Sequence, residues 1–340
     1  MRNFIAIIFL FSLIFISCGK SEYDKAKELY EIGDYKSASE LLIKHLQENP
    51  KDVSSRELLI RCYDKNESWD SAIEQINILN TFNPSAKYEA QLAKFSALNE
   101  DYIKVKSIME KLEKELSVLF EKKEKEFEER ALKIKSFAEQ EKDSLKVKEY
   151  GNQLDSLYSQ YEKIKQNMID SLNIKDVLIA EALYYLNLGK SSAPNKIKGC
   201  IESDSSNIRY LEKKVIEKIN LIEKPKPNYG NVYSFNYDIR DYYSKIAELY
   251  ASIGYVKEAI ENYMDELYWF DNQERRASEL SIDLHYYTLL KYLNENNRFE
   301  DALELYNRLK STYKVKTQLC DSNIEYTKLM LEKQTSKEHE

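Results

Sequence analysis

The chain has 340 residues, 43% of them apolar and 32% charged, with a formal net charge of −7. An acidic balance repels the phosphate backbone and argues against nucleic acid as a partner, while ordinary apolar and charged fractions exclude a largely disordered chain. Only seven Gly and five Pro leave few helix breakers and no glycine-rich phosphate loop, so the composition predicts an all-α protein of long helices, with one large core or two or three smaller ones.

The first element is a targeting segment. Arg2 precedes an apolar run from Phe4 to Ser17, followed at once by Cys18, which is the secretory pattern of a charged start, roughly a dozen apolar residues and a small residue before the break. The run is shorter than the ~20 apolar residues a membrane span needs. Ordinary cleavage wants small residues at the first and third positions before the cut, and the third is Phe15. The tetrad Phe15, Ile16, Ser17, Cys18 resembles the bacterial lipobox, with Phe15 where that family usually has Leu. The resemblance implies that residues 1–17 are a lipoprotein signal peptide, that Cys18 is acylated, and that the mature chain, at a net charge of −8, is an extracytoplasmic domain held in a membrane by several acyl chains. Gly19, where that family often carries Asp for inner-membrane retention, points toward the outer membrane. An uncleaved anchor and plain secretion are the other readings of the stretch.

Residues 18–110 carry a period of 34. Gly33, Asp34, Tyr35, Ala38, Leu42 and Pro50 stand at positions 15, 16, 17, 20, 24 and 32 of a unit counted from Gly19, and Trp69, Ala72, Ile76 and Pro84 at 17, 20, 24 and 32 of the next. A third unit from Lys87 has Tyr88, Leu92, Phe95 and Leu98, then Tyr102 and Val105, one residue short and without its Pro. The spacing resembles the tetratricopeptide repeat, with an aromatic at 17, Ala at 20 and Pro at 32. Ala at 20 lets the two helices of a hairpin approach closely, and Pro ends the second because it cannot continue the hydrogen-bond ladder. One hairpin cannot bury its own apolar face, so neighbours must stack.

The next segment, 103–172, is charged and free of breakers. Phe120, Phe127 and Ile134 recur every seven residues, and Val147, Tyr150, Leu154, Leu157, Tyr161, Ile164 and Met168 alternate three and four apart, a heptad seam. The two seams are out of phase across the polar run Glu139 to Ser144. This predicts an antiparallel hairpin with arms of about 45 Å at 1.5 Å per residue; one long helix with a stutter is the alternative. Residues 173–223 read as a degenerate repeat with Leu183, Tyr185, Gly189 and Ile197, and with Pro194 where Ala is expected. Residues 224–239, with Pro225, Pro227 and four aromatics, read as a linker or docking strap.

The repeat returns over 240–333. Ile246, Ala247, Tyr250, Gly254, Ala259 and Tyr263 occupy positions 7, 8, 11, 15, 20 and 24 of a unit from Arg240, and Leu289, Leu290, Phe299, Ala302, Tyr306 and Leu309 occupy 7, 8, 17, 20, 24 and 27 of one near Asp283, about nine residues being inserted around Trp269 to Arg276. A last helix, Cys320 to Leu331, is expected to cap the stack, with 334–340 a disordered tail.

Catalytic and metal chemistry is not indicated. His45, His285 and His339 lack partners at metal or triad spacing, and no phosphate loop or paired-Cys motif implies a cofactor. Cys62, Cys200 and Cys320, an odd count within apolar helical patterns, read as small core residues rather than a disulfide framework. In the tetratricopeptide family, positions 2, 5, 9, 12 and 13 face a groove that receives peptides or helices. The resemblance places there Tyr23, Lys27 and Tyr30, then Glu57, Arg61, Asp64 and Lys65, then Tyr88, Phe95 and Leu98, and near the C-terminus Ser244, Glu248, Tyr287 and Lys291. Aromatics mixed with cations suit an acidic or aromatic peptide. The sequence thus predicts a non-enzymatic, lipid-anchored scaffold of the bacterial envelope that binds a protein partner. Two other readings are a stalk self-associating through 103–172 and a carbohydrate-handling lipoprotein, the latter disfavoured by only two Trp.

Overall fold

A computed structural model describes residues 21–171, 173–226, 232–273, 278–313 and 315–338. The lipobox and its leader lie outside them. The chain divides into two compact units, residues 1–180 and 181–340. Among the described residues all regular structure is helical, and no helix is long and apolar enough to cross a membrane.

Unit 1 begins with three stacked hairpins: α1 (Glu22–Glu31) with α2 (Tyr35–Glu48), α3 (Val53–Lys65) with α4 (Trp69–Phe82), and α5 (Ala86–Leu98) with the start of α6 (Tyr102–Gln140). Helices α2 and α3, and α4 and α5, also pack, so each hairpin leans on the next. Polar caps set where the helices start. Ser21 and Asp24 form a reciprocal capping box on α1, and the Asp34, Asp52 and Asp101 side chains accept from backbone N–H groups of α2, α3 and α6. Ala38 and Ala72, at position 20, are fully buried, as are Ala259 and Ala302 at the same position in unit 2.

Six hairpin turns among the described residues close in one way. The residue at position 15 adopts a left-handed backbone in each: Gly33 (φ 88°), Glu67 (54°), Glu100 (64°, one place early in the short unit), Gly189 (61°), Gly254 (80°) and Asn297 (58°). In each, the next N–H donates five residues back, Asp34 to Leu29, Ser68 to Tyr63, Asp101 to Ser96, Lys190 to Tyr185, Tyr255 to Tyr250 and Arg298 to Leu293, at 2.9–3.2 Å. This is the Schellman closure, which satisfies the last carbonyls of the first helix and reverses the chain. With the buried alanines, its recurrence gives stacked helical hairpins in each unit.

Helix α6 passes without interruption from the third repeat into a long arm, about 58 Å at 1.5 Å per residue over its 39 residues. It reverses at 141–143, where the Glu141 carboxylate accepts from the N–H groups of Lys142 and Asp143, and Asp143 accepts from Leu145. Helix α7 (Ser144–Ser171) returns antiparallel. Phe127 stacks on Tyr161 and meets the edge of Tyr158, Phe137 stacks on Tyr150, and Ala131 and Leu157 are buried along the seam. The polar run between the two seams is therefore a reversal and not a stutter.

Helix α8 (Ile174–Asn187) spans the division between the units, and α9 (Ala193–Ser203) and α10 (Ile208–Leu221) follow in unit 2. Pro194 causes no break, because it falls in the first turn of α9, where a missing N–H is harmless, and the buried Ala193 beside it supplies the small residue. Helix α11 (Val232–Ser252) pairs with α12 (Val256–Gln273), and α13 (Glu279–Glu295) with α14 (Phe299–Thr312). Helix α15 (Gln318–Glu338) packs on both α13 and α14. Asp283 on α13 accepts from the N–H groups of Leu319 and Cys320 at 2.8 and 3.0 Å, fastening α15 by its first turn. Asp271 accepts from Tyr286, Arg308 and Tyr313, which ties α12, α13 and α14 together. Cys62, Cys200 and Cys320 are free and buried.

Two sequence boundaries need correction. Residues 232–239 of the expected linker belong to α11, with Ile239 fully buried, since no Gly or Pro follows Gly230 before that helix ends; residues 227–231 lie outside the described residues. The expected disordered tail is helical as far as Glu338, because residues 334–338 simply extend a breaker-free helix.

A left-handed backbone costs a residue with a Cβ about 1–2 kcal/mol, less for Asn, and glycine's own entropic cost offsets part of that. Glu67→Gly and Glu100→Gly should therefore each stabilise the protein by roughly 0.5–1 kcal/mol, and Asn297→Gly by less. Chemical denaturation checks this; equal destabilisation by all three would contradict the turn assignment.

Candidate functional site

The first helices of the three N-terminal hairpins bring most of the predicted groove residues of unit 1 together. The Arg61 guanidinium lies 5.9 Å from the Tyr30 ring centroid, a cation–π contact between α3 and α1. Lys27 and Lys65 are exposed, and Tyr23 and Tyr30 are half-buried with an edge open to solvent. Burial raises the Tyr30 phenol pKa. These five residues form an accessible patch of aromatics and cations.

Further along, the groove is spent on internal bonds. Glu57 accepts from Lys87 at 2.9 Å and from the Tyr88 hydroxyl at 2.8 Å. Burial raises the Glu57 pKa, but these two donors outweigh it and hold the carboxyl below its usual range, and burial pushes the Tyr88 phenol up to about 12. The Lys94 ammonium sits 3.3 Å from Asp64 and 3.1 Å from Asp176 on α8, and over the Phe95 ring. Lys94 stands at position 8, where the other units place Ala26, Ile60, Ala247 and Leu290, all in the core. Burial raises the Asp176 pKa against the pull of Lys94. Tyr88, Phe95 and Leu98 are themselves only 3, 1 and 6% exposed. The expectation that they line an open groove is therefore corrected: Phe95 stacks on Trp69 of α4 and Tyr88 donates to Glu57 of α3, which leaves this stretch of α5 in the core.

In unit 2 the arrangement differs. A cavity of about 500 Å³ is lined by Ser244 and Glu248 of α11, Tyr263 and Glu266 of α12, and Ser281, Leu284, His285, Thr288 and Leu289 of α13, with Ser278 and Leu280 at its edge. Ser244 and Glu248 are predicted groove residues. Tyr287 and Lys291 are not part of the lining: Tyr287 packs on the core and Lys291 pairs with Glu295 at 3.7 Å. Helix α13 starts at Glu279, four residues before the repeat register implies, and the face it turns to α11 carries Ser281, Leu284, His285 and Thr288, spaced 3, 4 and 7 apart.

The polar groups of this cleft differ in how they are satisfied. Glu266 is 3.1 Å from His285 Nδ1 and 3.6 Å from Arg240, and the Arg240 guanidinium reaches His285 Nε2 at 2.9 Å. With Arg240 donating to Nε2, the ring is a neutral tautomer that donates Nδ1–H to Glu266. Both ring nitrogens are then engaged, so His285 cannot serve Ser244 or Ser281 as a general base. Glu248, by contrast, makes no hydrogen bond or ion pair among the described residues. Burial first, and the nearby Asp241 second, raise its pKa against the weaker pull of Lys245. Lys245, one turn away, is engaged by Asp241. Among the described residues no group of His, Cys, Asp and Glu could hold a metal ion. The distance of 45 residues between Arg240 and His285 hid this network from sequence reasoning.

No protein-family profile and no curated protein matches the chain. Solved structures do resemble it. TTC0263, a thermophilic TPR protein of Thermus thermophilus, is 17% identical over 86% of this chain and 96% of its own, with a TM-score of 0.29. The assembly chaperone of RpL4, Acl4 (residues 1–338), is 14% identical over 94% and 99%, at 0.28, and the P58(IPK) TPR domain 11% over 92% and 98%, at 0.25. Scores this low describe no whole-chain superposition, and the fold assignment rests on the six recurrent turns and the buried alanines.

Two substitutions should act in opposite directions. Lys94→Met removes the cation shared by Asp64 and the buried Asp176 and should cost about 3–5 kcal/mol, seen as a lowered unfolding temperature. Glu248→Gln should raise the unfolding temperature at pH 7. Its native pKa is raised above the unfolded value, so ionised Glu248 penalises the fold, and the penalty vanishes as pH falls through the carboxylate range. The gain from Glu248→Gln should fade with it; a pH-independent effect would refute this account.

Proposed function

We propose that the protein is a lipid-anchored, non-enzymatic scaffold of the bacterial cell envelope, held through Cys18, that binds a partner polypeptide on its helical hairpins. The observation that carries the reading is the open patch of Lys27, Tyr30, Arg61 and Lys65, which the first two hairpins bring onto one side although the residues are up to 38 apart in sequence. Half-buried tyrosines offer rigid apolar area, and the cations favour an acidic or aromatic segment. The run from Phe4 to Cys18 supports an extracytoplasmic, membrane-tethered location, with the outer membrane favoured by Gly19.

A second reading, self-association through the α6–α7 hairpin, is favoured by the exposed Val118, Leu132 and Leu145 along it. A concentration-independent monomer in light scattering would remove it.

A photo-crosslinking residue at Lys65 should capture a discrete envelope protein in living cells, and Arg61→Glu should abolish that adduct. Adducts unchanged by Arg61→Glu would refute the patch as the docking surface. Cys18→Ala should leave the precursor uncut and without lipid; normal processing would refute the anchor.

A further inference from the structure

The cleft of unit 2 has a chemistry opposite to that of the patch on unit 1. Its walls are apolar where Leu280, Leu284 and Leu289 line them, and hydroxylic where Ser244, Ser281 and Thr288 do. Its volume, about 500 Å³, lies within the range that encloses a small ligand or one long side chain. Of the two carboxylates that face it, Glu266 is matched by Arg240 and His285. Glu248 is not matched: it is half-buried, its helix neighbours Asp241 and Lys245 engage each other, and no donor reaches it among the described residues. Lys245 favours the ionised Glu248 less than burial and Asp241 oppose it, so the carboxylate is held at a cost beside the cavity that it lines.

We propose that this cleft is a binding site for one amphipathic cation, an ammonium or guanidinium group on an aliphatic stem, with the charged head on Glu248, hydrogen bonds to Ser244 and Thr288, and the methylenes on Leu280, Leu284 and Leu289. The serines and threonine accept from the remaining N–H donors, and the leucines cover a stem too apolar for water. Such a cation is either a Lys or Arg side chain of a bound polypeptide or a free aliphatic amine. The first source rests on the proposed scaffold function, giving the C-terminal block a basic partner segment where the N-terminal patch takes an acidic or aromatic one; the second does not.

Calorimetric titration of the full-length protein in detergent separates these. The probes are a blocked Ala-Lys-Ala tripeptide, the same peptide with norleucine in place of Lys, and 1,5-diaminopentane. The Lys peptide should bind at least about tenfold more tightly than the norleucine peptide, the scale of a charge-assisted hydrogen bond. Glu248→Gln, which should not weaken the fold, should lose that preference, while Glu300→Gln, outside the cleft, should keep it. Stronger binding of the peptide than of the diamine assigns the site to a partner's side chain, and the reverse assigns it to a free amine. Equal binding of the Lys and norleucine peptides, an unchanged preference in Glu248→Gln, or no heat from either cation at about 10 mM would overturn the proposal. Crosslinking at Lys65 reads the other unit, so either result can fail without the other.

Discussion

The structure depends on a backbone constraint: a helix that ends without partners for its last carbonyls must find them within a few residues or leave them to solvent. Six times this chain solves the problem in one way, with a left-handed residue at position 15 and an N–H that reaches back five residues. That closure sends the second helix back along the first. Because the turn is the same each time, the angle between paired helices is set locally, and the fully buried alanines at position 20 then allow close contact. A repeat protein of this kind gathers its stability from neighbour to neighbour, since no pair of helices has an apolar face it can cover by itself.

Where the chain departs from the pattern, it does so with charge. Position 8 of the third hairpin holds Lys94, and the structure accommodates it by bringing Asp64 and Asp176 to the same ammonium. Two carboxylates around one cation, under low exposure, define a geometry more than they add stability, because the desolvation of three ions offsets most of their attraction. Beside it, Phe95 stacks on Trp69 of α4 and Tyr88 donates to Glu57 of α3, so the aromatic residues of α5 are core. The open part of the N-terminal surface is thus limited to the first two hairpins, where Arg61 over Tyr30 faces solvent.

The second unit uses its charges differently. Arg240, Glu266 and His285 contact one another at a cleft that Glu248 also lines. On the binding proposed for this cleft, selectivity would come from Glu248, because a cation gains most where compensation is weakest.

How far the residues themselves disclosed this can be traced position by position. Gly33, Gly254, Ala38, Ala72, Ala259 and Ala302 marked the hairpins in advance, because a left-handed turn and a close helix contact each demand a residue type, and residue type is what a sequence displays. The reversal between α6 and α7 was visible as a phase break in two heptad seams. Hidden, in contrast, were Glu67, Glu100 and Asn297 at the same turns, since tertiary packing can hold a residue with a Cβ in a conformation it does not prefer. Hidden too were the burial of Tyr88, Phe95 and Leu98 against the neighbouring hairpin, and the cleft around Glu248, whose lining depends on α13 starting four residues early. Local backbone and packing requirements were thus written in the order of residues. Which faces stay open and which charges lack a partner was decided only by the folded chain, because both depend on groups far apart in sequence that meet across helices.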